Sequence, residues 1–206
     1  MSITSSCKAW GLRNKQPPLL ILDRDTALES TVKISKEDFV DTLYLWLSEH
    51  LTEKEVKAMA DEVGFNTKGL FRIKVSKKLY SKLYIELFTL NMYLIVSSCE
   101  AVIEDEDKKK NVLDMFYNTV FEKNIKVSGI SYNKWLNLME LIYDEYGKAT
   151  EEASLLSPLL LLANRFCKNL FGDKMKLDSS LKFEISMRIG GMAKQLSKTL
   201  HEYDID

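Results

Sequence analysis

From Lys77 to Ile103 the chain has almost no polar face, with Leu79, Tyr80, Leu83, Tyr84, Ile85, Leu87, Phe88, Leu90, Met92, Tyr93, Leu94, Ile95 and Val96 crowded together. A helix that is apolar all round must be surrounded by protein or by lipid. The longest charge-free run inside it, Leu87 to Cys99, is 13 residues and contains Thr89, Asn91, Ser97 and Ser98. A membrane span needs about 20 predominantly apolar residues. Any longer window takes in Lys82 and Glu86, and a charge near the bilayer centre costs roughly 2.5 to 3.5 kcal/mol. The pattern therefore predicts a buried central helix over about 77–104 and no membrane span.

Six further stretches carry helical periodicity. Ser35 with Asp38, and Thr52 with Glu55, have the spacing of capping boxes. The first opens Phe39, Val40, Leu43 and Leu47 to about His50; the second opens Val56, Met59, Ala60 and Val63, with Gly64 as a stop. A fourth helix begins near Asp107, carries Val112, Leu113, Phe116, Val120 and Phe121, and ends by Lys126. Ser131 caps a fifth, with Trp135, Leu138, Met139, Ile142 and Tyr146 inward and Gly147 as its end. Ser157-Pro158 starts a sixth, closed by Gly172, and Asp178 caps the last, whose inner face is Leu181, Ile185, Ile189, Met192, Leu196 and Leu200.

Outside these helices the reading is extended. Residues 1–34 form an N-terminal arm in which Leu19-Leu20-Ile21-Leu22 and Thr31-Val32-Lys33-Ile34 are apolar runs suited to a small ribbon. Phe71, Ile73 and Val75 alternate with Arg72, Lys74 and Ser76, as in a strand near residue 73. The expectation is all-α: a six- or seven-helix bundle around the central helix, with the arm, one helical domain over 35–201, a minor β element and a frayed tail at 202–206.

Composition agrees. Eight glycines and three prolines in 206 residues are few, which favours long helices with short connections. The net charge of -1 offers no global field to recruit nucleic acid or an acidic membrane. Cys7, Cys99 and Cys167 are odd in number and far apart, which argues against a disulfide framework or zinc knuckle and fits reduced thiols in the cytoplasm.

Catalytic constellations are hard to assemble from this chain. Its two histidines, His50 and His201, fall at helix ends, and the residues three before them are Leu47 and Lys198, so the Glu-x-x-His pair of a di-metal bundle is missing. Cys99 and Cys167 lie in apolar helices, where a thiol packs as a small hydrophobe. Glu86 and Asn91 are the polar groups most worth attention on the central helix, because a carboxylate buried there demands a partner. Glu140 and Asp144 would join Glu86 in an acidic cluster if the site were metal-binding or acid/base; otherwise the three face solvent or pair with Lys82 and Lys148. The run Glu104-Asp105-Glu106-Asp107 lacks the alternating ligands and central glycine of a calcium loop and reads as an acidic helix start. Gly190-Gly191 reads as close helix packing or a kink.

Lys68, Arg72, Lys74, Lys77, Lys78 and Lys82 put six positive charges into fifteen residues without an acid. Over about 30 residues, the spacing of Ala60, Gly64, Leu70, Phe71, Ser76 and Lys77 resembles the helix-turn-helix of the tetracycline-repressor family. That resemblance implies an all-helical DNA-binding regulator with a ligand-binding core. It would make Asn66 to Arg72 the recognition helix and put Phe71, Arg72 and Lys77 against phosphates. It stands as the alternative to the leading expectation, a non-enzymatic cytoplasmic module that binds a protein partner or a small apolar ligand and needs no cofactor. Leu155, Leu156 and Leu159 to Leu162 offer more apolar surface than one neighbour covers, which suits a homodimer.

Overall fold

The computed structural model of this chain describes residues 31–63, 77–151, 157–172 and 179–206. Among them are seven α-helices: α1 (Lys36–Glu49), α2 (Glu53–Glu62), α3 (Lys77–Val102), α4 (Glu106–Val120), α5 (Tyr132–Glu151), α6 (Pro158–Phe171) and α7 (Ser179–His201). Two short strands, β1 (Val32–Ile34) and β2 (Tyr203–Ile205), pair in parallel. The fold is an all-α bundle with one minor sheet.

Local chemistry sets the helix starts. The Ser35 hydroxyl accepts from the Asp38 backbone N–H at 3.1 Å, Thr52 accepts from Glu55 at 3.4 Å, and Asp105 accepts from Lys108 at 2.7 Å, each satisfying a donor with no intrahelical partner. The fourth helix thus begins at Glu106, one residue before Asp107, with Asp105 as its cap. Pro158 occupies the first turn of α6, where its missing N–H costs nothing. Beyond Val120 the helix widens into a π turn over Phe121–Ile125, tightens over Lys126–Ser128, and stops at Gly129, whose φ of +74° is open to glycine without strain.

α3 is the axis of the bundle, in contact with α1, α2, α4, α5, α6 and α7. Every residue from Leu87 to Cys99 is buried, so the charge-free run marks the part of α3 that is covered on all sides. By length and composition α3 would suffice to cross a membrane, contrary to the count made from charge-free residues alone. Of its most apolar 18-residue window, however, 67% is buried inside the fold, which is the position of a core helix. α6 and α7 are close at Gly190, where a Cβ would stand 2.9 Å from Leu159 Cδ1. Gly190 therefore serves helix packing, whereas a Cβ at Gly191 would meet nothing within 4 Å.

Three expectations need correction. Gly147 does not end the fifth helix; α5 continues to Glu151, and the Gly147 carbonyl accepts from the Thr150 hydroxyl at 2.8 Å. The frayed tail is β2, in register with β1 as Val32↔Tyr203, Lys33↔Asp204 and Ile34↔Ile205. Thr31 to Ile34 does supply a strand, but its described partner is this tail. The remainder of the arm, the strand near residue 73, Gly64, Ser76, Leu155, Leu156 and Asp178 lie outside the described residues. Of the leucine run, Leu162 is buried and Leu159, Leu160 and Leu161 are half-buried.

Candidate functional site

A cleft lies where the end of α1 and the start of α2 meet α3 and α7. It has a volume of about 450 Å3 and is lined by His50, Glu55, Leu87, Arg188, Gly191, Met192 and Gln195. Its shape follows from the connections: His50 is the C-cap of α1 and Thr52 the N-cap of α2, so the sharp α1–α2 turn brings His50 and Glu55 to one end of the bundle.

His50 is held in place by two contacts. Its Nδ1 donates to the Trp46 carbonyl at 2.8 Å, and its ring stacks on Trp46 at 3.9 Å between centroids. A carbonyl only accepts, so Nδ1 carries the hydrogen, and in the tautomer with a single ring N–H this leaves Nε2 as the acceptor. Across the cleft Arg188 donates from Nη2 to Glu55 at 2.7 Å and from Nη1 to Glu62 at 2.6 Å. Glu55 and Glu62 stand seven residues apart, on one face of α2. The spacing Thr52–Glu55 suggested that the acid would turn back onto its own cap; Arg188 holds it instead. Leu87 and Met192 are buried residues that present apolar surface to the cleft.

Glu86 lies outside this lining, in a polar seam between α3 and α5. The Tyr146 hydroxyl donates to Glu86 Oε1, and Asn169 Nδ2 donates to the same oxygen at 2.8 Å. Burial raises the Glu86 carboxyl above its ordinary value against these two hydrogen bonds, with Glu145 adding to the rise and Lys82 opposing it. Two helical turns further along α3, Tyr93 stacks on Tyr146 and meets Tyr143 at a tilt, at 5.4 Å from each ring. After two more turns Glu100 accepts from the Tyr143 hydroxyl, and burial again raises the carboxyl. Glu86, Tyr93 and Glu100 thus form a stripe at seven-residue intervals facing Tyr143 and Tyr146 on α5. Desolvation and the adjacent carboxylates push both of those phenols above their ordinary value.

Asn91 is fully buried, and neither polar atom of its amide has a hydrogen-bond partner among the described residues. Leaving such groups unpaired costs about 1 to 3 kcal/mol. Neither Glu140 nor Asp144 is among the charges that act on Glu86, which are Glu145 and Lys82; Asp144 stands 3.9 Å from Lys148, and Arg165 meets Glu145 at 3.2 Å. No three histidine, cysteine, aspartate or glutamate side chains gather in metal-binding geometry among the described residues. Cys99 and Cys167 are buried free thiols, pushed up by desolvation to about 12 and about 11.

Of the residues placed on phosphates by the helix-turn-helix resemblance, Phe71 and Arg72 lie outside the described residues, and Lys77 is exposed at the first position of α3. Periodicity missed Arg188, Glu62, Glu100 and Tyr143 as partners. The seven-residue recurrence of polar groups along α3, and of acids along α2, is the signal that could have found them. Comparison with protein-family models, with curated proteins and with solved structures finds no match to this chain.

Proposed function

We propose that this protein is a non-enzymatic, cytoplasmic ligand-binding module and that its site is the cleft between α1, α2, α3 and α7. The observation that carries this reading is the cleft volume of about 450 Å3, within the roughly 300 to 1,000 Å3 of small-molecule sites. Its lining has the composition of such sites, an apolar floor with a few fixed polar groups. The two buried thiols favour binding over covalent chemistry, since raised thiol values leave little thiolate to act as nucleophile.

Gly191 gives a direct test, because it lines the cleft and a Cβ there would meet nothing within 4 Å. A fragment library screened by ligand-observed NMR should yield binders whose signals revert in Gly191→Phe, with circular dichroism showing the fold retained. A screen in which every binder ignores Gly191→Phe, or in which nothing binds, overturns the assignment.

A further inference from the structure

We infer that the cleft selects a primary alkyl- or arylammonium ion, an inference that rests on the cleft being a ligand site. Charge comes first. Arg188 contributes one positive charge, whereas Glu55 and Glu62 bring two negative charges against it. An anionic ligand would have to approach an arginine whose two terminal nitrogens are already committed to carboxylates. A cation instead meets an excess of one negative charge.

The hydrogen-bonding groups favour the same class. Glu55 accepts from Arg188 through Oε2, which leaves Oε1 for a ligand. His50 donates from Nδ1 to its own helix, which leaves Nε2 as an acceptor. Gln195 lines the same cleft and is exposed, so its amide oxygen is a third acceptor. A primary ammonium has three N–H donors, one for each. A quaternary ammonium has none, and a carboxylate would stand beside two other carboxylates, Glu55 and Glu62, with only the remaining N–H groups of Arg188 to receive it. Leu87 and Met192 then give an alkyl or aryl body apolar surface to cover.

The test uses three probes of one shape, hexylammonium, hexanol and hexanoate, titrated into the intact protein at fixed ionic strength. Hexylammonium should bind about tenfold or more tighter than hexanol, hexanoate should bind weakest, and added salt should weaken only the ammonium complex. Gln195→Met, a change at an exposed position, should lower ammonium affinity severalfold and by more than it lowers hexanol affinity. Glu55→Gln should erase most of the ammonium preference, whereas Glu122→Gln, the same charge change at an exposed site on the π turn, should not. Hexanol or hexanoate binding as well as hexylammonium overturns the ammonium inference. If screened binders revert in Gly191→Phe but none is an amine, the inference falls while the cleft remains a ligand site; if nothing reverts in Gly191→Phe, both fall.

Discussion

At Glu86 two donors, the Tyr146 hydroxyl and the Asn169 amide, converge on one carboxylate oxygen, and both favour the charged form. Burial opposes them and prevails, so the folded-state value lies above 4.5. The sign of the pH dependence follows from proton binding. Above 4.5 the unfolded chain releases a proton that the folded chain still holds, so the contribution is full below 4.5 and is lost as pH rises through the folded value. Glu86→Gln keeps a carbonyl oxygen for both donors and removes the titration. Urea titrations between pH 4.5 and 7.5 should show wild type losing stability relative to Glu86→Gln as pH rises; a constant difference across that window refutes the linkage. Glu86 and Asn91 stood out in the sequence because each interrupts an apolar run. Glu100 did not, because it sits where α3 nears its end and a charge there reads as solvated. Only the Tyr143 hydroxyl, on another helix, makes it part of the seam.

Glycines show why element boundaries were unequally legible. Gly172 reads as a stop in the sequence and has φ of +79°, a backbone that other residues adopt only with strain; Gly129, after the π turn, has φ of +74°. Gly147 was read in the same way, yet its φ is not positive and α5 passes through it. Composition marks where the left-handed conformation is available; packing decides where it is used. Gly147→Ala should therefore stabilise the protein by about 0.5 to 1 kcal/mol, since a Cβ there meets nothing within 4 Å and alanine is the better helix former. Gly190→Ala gains the same propensity but must displace Leu159 Cδ1 from 2.9 Å. Its urea midpoint should fall below that of Gly147→Ala by the equivalent of about 1 kcal/mol. Equal midpoints would mean that the α6–α7 contact at Gly190 is not close enough to require glycine.

At the scale of the molecule, β1 and β2 join stretches of chain separated by all seven helices. The parallel pair is closed by Val32 N–H to the Glu202 carbonyl at 2.9 Å and Asp206 N–H to the Ile34 carbonyl at 3.0 Å. An isolated two-stranded ribbon is marginal in water, so the sheet depends on what it packs against. Tyr203 meets Phe39 of α1 edge-on at 6.3 Å, Lys108 of α4 donates to the Ile205 carbonyl, and Ile205 is only 8% exposed. The tail was read as frayed because Tyr203 and Ile205 are too few to establish an alternation between Glu202, Asp204 and Asp206. A partner 171 residues away, Val32 for Tyr203, leaves no local signal in the chain. Ile205→Ala should cost about 2 kcal/mol, near the lower end for a buried isoleucine because the site lies in a short edge strand. Asp204→Ala, on the exposed side of the same strand, should change stability by less than about 0.5 kcal/mol. Urea unfolding measures both, and amide exchange adds the spatial readout: in Ile205→Ala the protection of the Val32 N–H should fall, although the substitution is made 173 residues away along the chain. Unchanged protection at Val32 would show that β1 is held by α1 alone and that β2 does not close the bundle.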